Sequence, residues 1–115
     1  MMDNREIDLL VARKVMGWIE VEKGEFTGFD FVGKRPLIND THSRDSFLIP
    51  HYSTDISAAW QVAGKLIEIR FYPVIWVKPG IVQLYCHNEV CTIEEKGTIP
   101  LAICLAALKA VGVDL

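Results

Sequence analysis

The stretch HYSTDISAAW, residues 51–60, places a histidine, two hydroxyls and a carboxylate within five positions before it turns apolar. A hydrolase could use these residue types as nucleophile, base and orienting acid, provided that the three converge in space. His51 stands only two residues before Ser53, which is too close on an extended approach for that arrangement. The pattern favours a helix start, with Ser53 or Thr54 as N-cap and Asp55 at the positive end of the helix dipole. A ligand held at this helix N-terminus is the alternative, and its contacts would be Tyr52, Ser53, Thr54 and Asp55.

The segment CHNEVC, residues 86–91, contains four side chains that zinc accepts as ligands. They are Cys86, His87, Glu89 and Cys91. Tetrahedral zinc sites usually combine ligand pairs from two separate turns, and the sequence has no second pair. The same spacing suits the two flanks of a hairpin, so we expect a hairpin and no metal here.

A few other residues could contact a ligand. GKRP has basic residues after a glycine but lacks the spacing of a phosphate loop, so Lys34 and Arg35 are candidates only for an anion contact. Trp18, Trp60 and Trp76 could stack on a base or a sugar. Tryptophan at a helix end, on an apolar helical stripe or in a strand is more often part of the core, and we expect this above all for Trp60.

The composition limits the class of protein. A chain of 115 residues with 50% hydrophobic and 23% charged residues predicts one compact domain over residues 1–115. The formal net charge of −3 leaves no excess of cations for duplex nucleic acid. No apolar run is long enough to cross a bilayer, and the acidic start is unlike a signal peptide. Three cysteines are too few for a disulfide scaffold, so we expect a cytosolic protein.

Three segments have helical spacing of apolar residues. The first covers residues 4–16, with Asp3 as N-cap, Glu6 reaching back as in a capping box, and Gly17 closing the helix. The second follows Thr54, and its apolar stripe consists of Ile56, Ala59, Trp60, Ala63, Leu66 and Ile67. The third opens with threonine and proline in TIPLAICLAALKAVG and ends at its glycine.

The remaining segments predict strands and one long connection. WIEVEKG alternates like a short strand, and the β-branched and aromatic residues further on predict antiparallel strands near 74–78, 81–86 and 90–95. Residues 67–71 fit either the end of the second helix or the start of the sheet. Residues 25–50 have no strong pattern, and such loops are either binding elements or mobile. The elements together indicate an α+β fold.

The last helix is apolar nearly all round, with Lys109 as its single charge. Such a helix must be covered on more than one side, by the sheet and by another helix or another subunit. The sequence therefore suggests a homo-oligomer whose interface includes Leu101, Leu105 and Leu108.

Three blocks in this order resemble the phage ABA sandwich domain family: REIDLLVARKVMGW, HYSTDISAAWQVAGKL and TIPLAICLAALKAVG. The resemblance spans nearly the whole chain and implies an α-β-α sandwich, with three helices packed on an antiparallel sheet, encoded by a phage or prophage. Leu105 departs from the pattern, where a basic residue is common. The segment from Phe26 to Pro50 and the CHNEVC turn have no counterpart in it, so a specialised role could lie there.

No residue set in the sequence meets the geometric demands of acid-base or nucleophilic catalysis. We therefore expect a non-enzymatic protein without a cofactor, which acts in the bacterial host cell by binding or self-association. Its partner would be a second copy, a small molecule or a host protein. The alternatives are a decoy that sequesters a host nucleotide signal or blocks a defence protein, and an assembly subunit.

Overall fold

Three helices and two antiparallel three-stranded sheets form the protein in a computed structural model, which describes residues 2–23, 30–37, 39, 41–76, 78, 80–86 and 92–113. The helices are α1 (Asn4–Leu10), α2 (Ile56–Glu68) and α3 (Ile99–Ala110). The strands are β1 (Ile19–Lys23), β2 (Phe31–Lys34), β3 (Phe47–Leu48), β4 (Phe71–Trp76), β5 (Ile81–Cys86) and β6 (Thr92–Lys96). The α+β class predicted from the sequence is confirmed.

The first helix has the predicted length, but its second half is wound differently. The Asp3 side chain accepts a hydrogen bond of 2.8 Å from the Glu6 amide, which confirms the predicted N-cap. Val11–Val15 form a π-helical segment that continues α1. Gly17 then adopts a left-handed conformation (φ +81°), and the Trp18 amide donates to the Ala12 carbonyl at 2.9 Å. This closure turns the chain directly into β1.

The cap of α2 differs by one residue from the prediction. Asp55, and neither Ser53 nor Thr54, is the N-cap, because its carboxylate accepts a 2.9 Å hydrogen bond from the Ser57 amide. The other end of α2 settles the boundary that the sequence leaves open. Arg70 adopts a left-handed conformation (φ +70°) after the helix, and β4 begins at the next residue.

In both sheets the strand order follows the chain, β1-β2-β3 and β4-β5-β6. The second sheet is regular, since each residue of β4 pairs with one of β5. The strands predicted near 74–78 and 90–95 correspond to β4 and β6, and the structure places them at 71–76 and 92–96. The first sheet carries a bulge in β1, where Glu20 has a positive φ of 52°.

Helix α3 lies at the centre of the core. It packs on β5 and β6 on one side and on α2, α1 and the π-helical segment on the others. Its own chain thus covers it, and a second subunit is not needed for that purpose. Leu108 is fully buried, whereas Leu101 and Leu105 are only partly so. Lys109 forms an ion pair with Glu95 on β6, which places its charge at the rim of the core.

No helix in the described part of the chain has both the length and the apolar character needed to cross a membrane.

Candidate functional site

The residues just before α2 serve the core. Tyr52 and Ser53 are both about 1% exposed. The Tyr52 hydroxyl accepts a 3.1 Å hydrogen bond from the Trp18 indole nitrogen, and burial raises the pKa of Tyr52 to about 12. Ser53 donates its hydroxyl hydrogen to the Asn4 carbonyl at 3.0 Å. Neither side chain is therefore presented to a ligand at the surface.

A polar network that the sequence did not reveal ties α1 to the chain before α2. Arg5 donates to Asp30 Oδ1 at 3.0 and 2.7 Å and to Asp8 Oδ2 at 3.1 Å. It also donates to the carbonyls of Ile49 (2.8 Å) and Pro50 (3.1 Å). One guanidinium thus joins a helix, a strand start and a loop. One feature of the sequence does point to a buried partner for Asp8. This residue stands four positions before the apolar Ala12, so the helical repeat places its carboxylate on the buried face of α1.

His51 lies beside this network without completing a catalytic dyad. Its ring nitrogens are 3.8 Å from Asp8 Oδ2 and 3.9 Å from Asp30 Oδ2, both beyond hydrogen-bond distance. Asp8 is engaged by Arg5 and by the Ser53 amide, whose hydrogen bond to Asp8 Oδ1 measures 2.7 Å. Asp8 is thus engaged in contacts that tie α1 to the chain before α2.

The network predicts a pH dependence of stability at Asp30. Burial alone raises the pKa of this carboxyl, but the Phe31 amide, Arg5 and His51 together favour its ionised form and hold the pKa below its ordinary value. Its stabilisation is fully present above the unfolded-state pKa of about 3.9 and is lost as the pH falls through the lower folded-state pKa. We expect the melting temperature of Asp30→Asn to lie below that of the parent at pH 7, with the gap closing towards pH 2. A gap as wide at pH 2 as at pH 7 would contradict this.

The two basic residues of GKRP lie on the first sheet and its continuation. Lys34 is paired with Glu20 at 2.6 Å, so its charge is already neutralised. The Arg35 guanidinium stacks over the Phe47 ring at 4.3 Å from the ring centre. The predicted set hence does not form one site: Tyr52 and Ser53 are buried, Asp55 caps α2, Thr54 is exposed, and Arg35 lines a cavity within the described part of the chain.

The most distinctive surface is the outer face of the second sheet, which we call the open face. The helices pack on the other face through Val82 and Leu84. On the open face, Tyr72, Val74, Trp76 and Tyr85 are between 40% and 52% exposed. Contiguous apolar surface of this kind marks interaction sites in soluble proteins.

Hydrogen bonds fix the side chains of the open face. Gln83 accepts from the Trp76 indole at 3.3 Å and from the Tyr85 hydroxyl at 3.0 Å. Its amide nitrogen donates to Glu94 at 2.8 Å. Trp76 and Tyr85 are therefore both tethered to Gln83, which restricts their side-chain conformations.

Two of the tryptophans depart from the expectation of core positions. Trp60 is 53% exposed and Trp76 is 52% exposed, whereas Trp18 is buried. The alternation in FYPVIW carried the signal for Trp76, because Phe71, Pro73 and Ile75 take the inner face and leave Tyr72, Val74 and Trp76 on the outer one.

Within the described ranges, no three His, Cys, Asp or Glu side chains are gathered so that they could hold a metal ion. His87, Glu89 and Cys91 of CHNEVC lie outside those ranges. Cys104 is fully buried, and burial raises the pKa of its thiol well above the usual value, as expected of a core cysteine.

Three helices and two antiparallel sheets of sequential strands define a small α+β sandwich protein. The chain belongs to the phage ABA sandwich domain family, whose sequence profile matches residues 9–108. The resemblance drawn from the three sequence blocks is thereby confirmed. The fold is similar to that of a phage protein from Bacillus cereus, known from its crystal structure, with a TM-score of 0.69 and 25% identity over 100% of this chain and 93% of that one. No curated protein matches the chain.

Proposed function

We propose that this phage protein acts by binding, without catalysis, and that the open face of the second sheet binds a second copy of the chain in the host cytosol. The observation that supports this is the exposed aromatic set of Tyr72, Trp76 and Tyr85, of which Trp76 and Tyr85 are hydrogen-bonded to Gln83. Tryptophan and tyrosine are the residues that most often carry the binding energy of protein interfaces.

The edges of the same sheet disfavour the other way in which sheets associate. Pro73 lies in the edge strand β4 and has no amide hydrogen to donate to an added strand. The opposite edge strand, β6, carries Glu94, Glu95 and Lys96. Proline and charges on edge strands hinder edge-to-edge pairing, so association through the face is favoured.

The charges on the open face suit a two-fold pair. Glu94 pairs with Gln83 in the register of the sheet, and Lys96 pairs with Ile81, so both charges lie on the same side of β6. A two-fold axis requires the surface to be complementary to itself. A two-fold axis near β6 would place Glu94 of each copy opposite Lys96 of the other, which gives two opposite-charge contacts.

The size of the face indicates the expected affinity. Aromatic side chains offer roughly 150–250 Å² each, so about half of that area on three rings plus the aliphatic neighbours gives on the order of 500 Å² per copy. Two copies would bury about 1,000 Å², the lower limit for specific interfaces. We therefore expect a dimer that forms in the micromolar range.

A substitution on the open face tests this. We expect the parent chain to be dimeric at tens of micromolar in sedimentation equilibrium, and Trp76→Glu to weaken the dimer about 30-fold or more, as loss of an interface anchor does. Trp60→Glu is the matched control, because Trp60 is equally exposed but lies on α2. It should leave the dimer intact.

Other results of the same measurement contradict the proposal. A parent chain that stays monomeric at these concentrations excludes self-binding and leaves a host protein as the partner of the face. An open-ended polymer indicates an assembly subunit in place of a closed dimer. Equal loss of dimer in both variants shows that the open face is not the interface.

A further inference from the structure

A cavity of about 590 Å³ lies between α2 and the chain around β3. Ligand sites in proteins have volumes of roughly 300–1,000 Å³, with apolar walls and a few polar groups. This cavity is open to solvent on one side and has a mixed polar and apolar lining, which consists of Trp18, Arg35, Ser46, Phe47, Leu48, Pro50 and Gln61.

The polar groups of the cavity have unused hydrogen-bonding capacity. The Arg35 guanidinium stacks on Phe47 but makes no hydrogen bond or ion pair with the residues that the structure describes. The Ser46 hydroxyl and the Gln61 amide likewise make no side-chain hydrogen bond within that part of the chain. Three groups able to bind a polar ligand thus line one cavity.

The stacking of Arg35 has a direct consequence for recognition. Phe47 lies against the guanidinium, whose Cζ is 4.3 Å from the ring centre, and the guanidinium carries five N–H donors in a fixed planar fork. That fork matches carboxylate and phosphate oxygens in bidentate geometry. Phe47, Leu48 and Pro50 offer apolar surface next to it for a ring.

We propose that this cavity binds a small molecule with one flat ring and one anionic group, of the size of a nucleoside monophosphate. The anion pairs with Arg35, the ring contacts the apolar wall, and Ser46 and Gln61 bind polar atoms at the ring edge. The residues of this site are separate from those of the open face, so the test of ligand binding is independent of the test of self-association.

A neighbouring depression of about 400 Å³ shares Gln61 with the cavity. Its charged residues, Lys65 and Glu68, neutralise each other in an ion pair of 3.3 Å. The anion preference therefore belongs to the Arg35 end, and the neighbouring depression offers room for a substituent on the ring.

Calorimetric titration of the full chain with AMP tests the proposal, with adenosine and inorganic phosphate as the separate halves of that probe. We expect AMP to bind at least tenfold more tightly than either half, because ring and anion are recognised together. Arg35→Gln should weaken AMP binding about tenfold or more, and Arg35→Lys should restore only part of the loss, because lysine lacks the planar fork.

Arg44→Gln is the matched control, since this arginine lies in the same connection but does not line the cavity. It should bind AMP like the parent. The amide shifts caused by AMP in an NMR titration should be concentrated around Ser46, Phe47 and Gln61, and melting curves check that every variant is folded. Absence of AMP binding, affinity unchanged in Arg35→Gln, or equal losses in the Arg35 and Arg44 variants would each overturn the proposal.

Discussion

Replacing Asp8 with alanine is expected to lower the free energy of unfolding by about 3 kcal/mol, the magnitude seen when one partner of a buried ion pair is removed. The carboxylate of Asp8 is 1% exposed and binds both Arg5 and the Ser53 amide. Without it, the guanidinium keeps Asp30 but loses its partner on α1, and a buried amide is left unpaired. Urea denaturation measures the change.

The control for this variant comes from the same helix. Glu6→Ala removes an exposed carboxylate two residues away, whose amide and not its side chain takes part in the cap. It should cost less than 1 kcal/mol, as exposed charges do. Asp8→Asn should fall between the two, because its amide oxygen still accepts from Ser53. Equal stability of Asp8→Ala and Glu6→Ala would show that the network contributes little.

Gly80→Ala is expected to destabilise the protein by about 3 kcal/mol, for two reasons that act together. Gly80 has a φ of +89°, a conformation that costs other residues roughly 1–2 kcal/mol. A Cβ at this position would also lie 2.5 Å from the Gly97 carbonyl oxygen. Since the Gly97 amide donates to the Gly80 carbonyl at 3.0 Å, any movement apart also breaks the link between the ends of β5 and β6. Thermal and urea unfolding measure the loss.

Gly64→Ala separates this effect from the general effect of adding a methyl group. Gly64 lies within α2, and a Cβ there would meet nothing within 4 Å. Alanine should stabilise the helix at this position by about 0.5–1 kcal/mol. If the two variants shifted stability in the same direction by similar amounts, the close contact at Gly80 would not be the cause.

How far the sequence predicts this fold depends on whether each boundary has a residue that marks it. The start of α1 is marked by Asp3 and the end of the π-helical segment that continues it by Gly17, and the structure places both where the sequence does. The end of α2 has no such mark, since an arginine takes the left-handed position that glycine usually occupies. Local residue preferences therefore leave that boundary open, and pairing of β4 with β5 decides it.

The candidate sites were less accessible to sequence reasoning than the fold. Asp8 binds Arg5 on its own helix and the amide of Ser53, which is 45 residues away along the chain. The second contact depends on the tertiary fold, and local sequence patterns do not predict it. Trp60 continues an apolar stripe but lies at its edge, so periodicity alone placed it in the core. The sequence makes Arg35 a candidate for an anion contact, but its position over Phe47 depends on the course of the connection between β2 and β3.

The central position of α3 governs how the molecule can be made. This helix follows all the other described elements in the chain, yet it fills the space between the second sheet and the other two helices. The strands pair with their sequence neighbours and need little loop-closure entropy, but the inner face of the second sheet over β5 and β6 lacks its cover until α3 has been synthesised. Completion of the core therefore requires α3, and a nascent chain stalled before this helix exposes apolar surface that chaperones bind.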